Sequence, residues 1–127
     1  MHPVETLLST SRRFHVWSYQ VGQPELLLRS GFPHDDVVEL LFEEVKSIQL
    51  NRLQLPELEV RRAEDVVFED GNGGRRFLKI ELRTLGHVGY VVCGRLTFIN
   101  GTHADGKRQW SIRPHGPAIR LTNPARS

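Results

Sequence analysis

The chain has 127 residues, 39% hydrophobic and 25% charged, with 17 Lys plus Arg against 15 Asp plus Glu. At roughly one domain per 100–200 residues, this leaves room for one domain and excludes a second large catalytic core. The net charge of +2 is too small to argue for nucleic acid on its own, and no apolar run reaches the roughly 20 residues of a membrane helix.

The single cysteine, Cys93, excludes an internal disulfide. Met1 is followed by His2, Pro3 and Glu5, where a signal peptide would need a basic stretch and an apolar run. The expectation is a soluble protein in a reducing, cytoplasmic compartment. Charge is polarised along the chain: residues 1–64 hold seven basic and ten acidic side chains (−3), and residues 65–127 hold ten basic and five acidic (+5). After Asp105, Lys107, Arg108, Arg113, Arg120 and Arg126 meet no acid in sequence, which reads first as a solvated basic end and second as a contact for an acidic partner or a phosphate backbone.

Pro3 to Thr10 fits a short helix, since proline is tolerated in a first turn and Leu7 and Leu8 supply an apolar face. From Phe14 the period becomes two through Trp17, Tyr19 and Val21, which predicts a strand. Gly22, Gln23 and Pro24 punctuate it, and Glu25 to Ser30 completes a hairpin. Residues 36–50 admit two readings. Asp36 and Glu39 suit a capping box, and Val37, Leu41, Val45 and Ile48 fall near helical spacing; Val38, Leu40 and Phe42 also alternate as a bent or bulged strand would. Leu58 to Arg62 is a short strand, and its alternation runs weakly toward Phe68. Asp70-Gly71-Asn72-Gly73-Gly74 is a turn joining paired runs. Phe77 to Arg83 is a half-buried strand, and Val88 to Ile99 follows with bends at Gly89 and Gly94. Asn100-Gly101 is expected to end it as a hairpin turn before a last strand, Gln109 to Arg113. Pro114 to Ser127 reads as an extended or disordered tail.

The pattern Phe14-x-x-Trp17-x-Tyr19-x-Val21, then Leu26-Leu27-Leu28-Arg29-Ser30, Leu41-Phe42-x-x-Val45, Ile48-x-Leu50 and Gly89-Tyr90-Val91-Val92, resembles small β-rich proteins of unassigned function encoded widely in bacteria. The resemblance spans roughly residues 14 to 99 and implies an immunity-type or accessory binding domain with no catalytic residue to carry over. It also favours strand over helix for residues 36–50.

The polar motifs carry little chemistry. His34-Asp35-Asp36 would need further converging ligands to hold a metal, and a capping loop explains it. His87 with Glu81 and Tyr90 could form an oriented general base in a concavity of a sheet, yet no Ser or Cys nucleophile is assigned to meet it. Cys93 sits in an apolar strand as a buried thiol. Gly71-x-Gly73-Gly74, and His103 with Asp105 among glycines, lack the strand, lysine and helix of a phosphate loop. Asn100-Gly101-Thr102 matches a glycosylation acceptor but reads as a turn. The aromatics Trp17, Tyr19, Phe32, Tyr90 and Trp110, interleaved with Arg12, Arg13, Arg95, Lys107 and Arg108, could stack single-stranded nucleic acid, although core packing is the stronger expectation for them.

Together these features predict a mainly β domain over residues 1–113, with α+β as the alternative. The form expected is a twisted antiparallel sheet or sandwich of about six to eight strands with a short N-terminal helix. The leading functional expectation is a non-enzymatic domain that binds another protein through Trp17, Tyr19, Arg12, Arg13, His103, Lys107, Arg108 and Trp110. The alternatives are a small-molecule site or minor enzyme at His87, weak nucleic-acid binding through the basic half, and a homodimer formed through open sheet edges. No metal or cofactor is expected.

Overall fold

The computed structural model describes residues 5–20, 22, 24–31, 36–68, 74–102 and 106–114. Phe32, His34, Asp35, the turn at 70–73, His103, Asp105 and the tail from His115 onward lie outside the described residues. Among the described residues twelve strands form: β1 (Glu5–Ser9), β2 (Phe14–Gln20), β3 (Glu25–Ser30), β4 (Asp36–Glu43), β5 (Ser47–Gln49), β6 (Gln54–Leu55), β7 (Glu59–Arg62), β8 (Val66–Phe68), β9 (Arg75–Thr84), β10 (His87–Cys93), β11 (Arg95–Thr102) and β12 (Gly106–Ile112). They make two antiparallel sheets. The first runs β1-β7-β9-β10-β5, with β8 also paired to β9, and the second runs β12-β11-β4-β3-β2-β6. Among the described residues no helix is long and apolar enough to cross a membrane.

The expected N-terminal helix is corrected by this arrangement. Glu5–Ser9 is a strand paired with β7 from Glu5↔Arg62 to Ser9↔Glu59, and its register shifts between Thr6 and Leu8. A two-turn helix is marginal in water, whereas the β7 edge offers a ladder, and the shift lets Leu7 and Leu8 both pack on the core. Residues 36–50 form strand as expected, in two pieces. The twelve strands among the described residues exceed the six to eight expected because β1 replaces the helix, the run Val88 to Ile99 divides into β10 and β11, and β5, β6 and β8 span only two or three residues each, too few for a period to show.

Two chain segments pass from one sheet to the other at a common corner. β4 leads through Glu44–Lys46 into β5, and β10 leads through Gly94 into β11. The Gly94 amide donates to the carbonyls of Glu43 and Glu44, and the Lys46 amide donates to Val92. A Cβ at Gly94 would lie 2.5 Å from Glu44 Oε1 and 3.0 Å from Glu44 Cβ, so a side chain there would displace the Glu44 carboxylate from the corner. Glu44 itself has φ +54°. At the other end of β9, Leu85 (φ +44°) and Gly86 (φ +83°) make the two-residue hairpin into β10, both with the positive φ that a type I′ turn requires.

Alternation then fills the interior. Across the second sheet, Leu26, Phe42, Leu96 and Ile112 stand in one cross-strand row, and Leu28, Leu40, Phe98 and Trp110 in the next. The first sheet answers with Val60, Leu78, Ile80, Leu82, Val91 and Cys93, all buried. At about 1.5–3 kcal/mol for each large side chain taken from water, these facing rows supply the main stabilisation.

Candidate functional site

The hairpin of β11 and β12 brings Trp110 directly opposite Phe98. Their rings stack at 4.1 Å between centroids and 12° between planes. Phe98 belongs to the buried core, but β12 is the last strand of its sheet among the described residues, and Trp110 stays 49% exposed. The result is an aromatic plate held rigidly by core packing with its free face toward solvent. Asn100-Gly101, expected to be the turn, lies inside the ladder instead: β11 continues to Thr102, opposite Gly106. A turn at Asn100-Gly101 would have set Phe98 against His103.

A polar cluster closes the same end of the sheet. Arg12, just before β2, forms an ion pair with Asp36 at the start of β4 and donates to the carbonyls of Asp36 at 3.3 Å and Ser30 at 3.5 Å. Asn100 Nδ2 donates to the second Asp36 oxygen at 3.0 Å. These donors hold the Asp36 carboxyl below its ordinary value of 3.8, the Arg12 hydrogen bond contributing most and the Asn100 bond next. Ser30 Oγ beneath them is buried without a hydrogen-bond partner.

The expected binding face is not a single surface. In β2 the register shifts between Val16 and Ser18, and the extra residue, Trp17, turns to the outer face, where Arg29 lies 4.7 Å over its ring. Tyr19 stands opposite Leu26 on the inner face. Trp17 is 59% exposed and Tyr19 47%, so the expectation that these aromatics pack in the core is also corrected: an edge position and a bulge expose them. β2 and β12 are four strand spacings apart, about 19 Å, which separates the two tryptophans. Arg13 donates to Gln54 at 3.2 Å and Arg12 is engaged by Asp36. Residues 107 and 108 lie on β12 beside Trp110.

His87, Glu81 and Tyr90 do not converge. Glu81 and Tyr90 are cross-strand partners on the outer face of the first sheet, whereas His87 pairs with Thr84 on the opposite parity. Arg61 and Arg83 take the Glu81 carboxylate at 3.6 and 3.5 Å, and the Lys79 ammonium lies 4.5 Å over the Tyr90 ring. The recess beside His87 holds about 10 Å³, room for at most a water. No protein-family model, curated protein or solved structure matches the chain.

Elsewhere, an open cleft of about 390 Å³ lies at the sheet-crossing corner, lined by Pro24, Glu25, Glu43, Glu44, Lys46 and Arg75. Two of its three acids are in ion pairs, Glu43 with Arg95 and Glu44 with Arg75, each at 2.5 Å. Cys93 is buried, and burial first, then the Glu44 charge, push its thiol up to about 12 against a hydrogen bond from the Arg95 backbone. It is a neutral core side chain at physiological pH. The Phe98 stack and the Asp36 cluster escaped the sequence reading because both depend on cross-strand register.

Proposed function

We propose that this protein is a non-enzymatic binding domain of immunity or accessory type, whose partner is another protein and whose contact surface is the β12 edge with Trp110. The observation that carries the reading is the Phe98–Trp110 stack at an open strand. Binding hot spots favour tryptophan, tyrosine and arginine in positions already ordered before contact, and Trp110 is fixed by the core while half its surface remains free. The strand beside it has a neighbour on one side only among the described residues, so its outward amides and carbonyls are available for strand addition. A buried, neutral thiol fits the reducing compartment read from the cysteine usage.

Panning a display library of random dodecapeptides against the native protein and against Trp110→Ala tests this reading. Ligands that enrich on the native protein and are lost on the variant are expected. Enrichment that is equal on both proteins, or absent on both, rules out Trp110 as the anchor.

A further inference from the structure

We propose that β12 receives an extended acidic segment of the partner, added as an outer strand in which acidic and apolar residues alternate. This rests on the protein-binding reading above and gives the partner its chemistry.

Three observations point to such a strand. β12 is the longest terminal strand of either sheet, seven residues paired to β11 without a register shift, while β1 has five residues with a shift and β5 and β6 have three and two. An edge this regular is a template for another chain. Next, the run from Gly106 to Pro114 holds Lys107, Arg108 and Arg113 and no acid. Strand parity puts positions 107, 109, 111 and 113 on one face and positions 108, 110 and 112 on the other, so Arg108 shares a face with Trp110 and Ile112. The basic positions 107 and 113 therefore flank one face, while the second carries Arg108 beside the exposed Trp110 and the core-packed Ile112, and a strand that alternates acid with apolar residue meets this basic edge with its acids and Trp110 with its apolar side. Finally, the acids of the nearby strand β4 are committed to other arginines, Asp36 to Arg12, Glu39 to Arg29 and Glu43 to Arg95, and Asp65, between β7 and β8, is committed to Arg62.

The same charge argues against a second copy of the chain as the occupant. Edge-to-edge pairing would bring three basic residues against three, and basic side chains on an edge strand are a recognised block to self-pairing.

The test titrates two fluorescein-labelled decapeptides, alternating Glu-Val and alternating Lys-Val, into the native protein and into the double variant Lys107→Glu, Arg108→Glu, with fluorescence anisotropy as the readout. Circular dichroism checks that the variant keeps its fold. If the inference holds, the native protein binds Glu-Val at least tenfold more tightly than Lys-Val, the preference falls at least tenfold in the double variant, and 0.5 M salt weakens it. Equal binding of both peptides overturns the acidic preference and leaves a protein-binding edge. Binding of neither, while the display library still yields Trp110-dependent ligands, also overturns it. Binding of neither, with no such ligands from the library, removes the protein-binding reading as well.

Discussion

Gly89→Ala probes the packing of the first sheet most sharply. A Cβ at this position would meet the Gln49 carbonyl oxygen and Leu50 Cδ2, each at 2.6 Å, where ordinary contact begins at 3.4 Å. The Leu50 methyl has freedom to swing aside. The Gln49 oxygen does not, because it is backbone of β5 and Gln49 pairs with Tyr90, so β5 must retreat by roughly 0.8 Å, the difference of those two distances. Overpacking of this kind costs about 1–3 kcal/mol, partly offset by about 0.4–1 kcal/mol because alanine restricts the unfolded chain. A net loss of about 1–2 kcal/mol follows, set against the roughly 5–15 kcal/mol that holds a domain folded. In urea this lowers the unfolding midpoint by roughly 0.5–1 M for a typical slope. Gly22→Ala is the control, since nothing lies within 4 Å of its Cβ position, and no loss is expected there. A Gly89→Ala protein as stable as the native one would refute the close approach of β5 to β10.

Four further outcomes are expected. Asp36 has a lowered folded-state value through Arg12 and Asn100, so its stabilisation is complete above pH 4 or so and is lost as pH falls through that lowered value. Asp36→Asn should therefore be less stable than the native protein at pH 7, with the gap closing in acid denaturation series toward pH 2. Cys93, held neutral by burial with a value of about 12, should resist iodoacetamide at pH 8 and react promptly in urea; fast labelling of the folded protein would contradict its place in the core. Trp110→Ala should cost about 0.5–1.5 kcal/mol beyond lost area in thermal unfolding, the usual worth of an aromatic pair, and a loss above 4 kcal/mol would make Trp110 a core residue rather than an anchor. Sedimentation should find a monomer at high micromolar concentration, and a dimer abolished by Lys107→Glu would contradict the charge argument at β12.

Much of the fold was legible wherever period two ran for six residues or more. Phe14 to Gln20 and Phe77 to Arg83 each declare a strand through alternation, Glu25 to Ser30 does so as the hairpin partner after the turn residues, and Gly94 marks the bend where a strand changes sheets. Glu5–Ser9 was misread because adjacent leucines suit a helix face as well as a strand with a register shift, and only the β7 edge decides between them. The binding surface was less legible. Trp17, Tyr19 and Trp110 stand out in the sequence as candidates and all three are exposed, but which face each occupies depends on the shift at Trp17 and on the β11–β12 register. Reading Asn100-Gly101 as the turn changes the cross-strand partner of every residue in that hairpin, and with it the Phe98–Trp110 stack disappears. Arg12, Asp36 and Asn100 come from three distant segments, so no spacing rule could have joined them.

The central claim is that β12 takes an added strand, and amide-resolved hydrogen exchange on the native protein, with and without the alternating Glu-Val decapeptide, tests it most directly. The account requires that alternate amides of β12, those facing away from β11, slow at least tenfold when the peptide is bound while the amides of β6 at the opposite edge of the sheet keep their rates. Binding that leaves every β12 amide unchanged would contradict it.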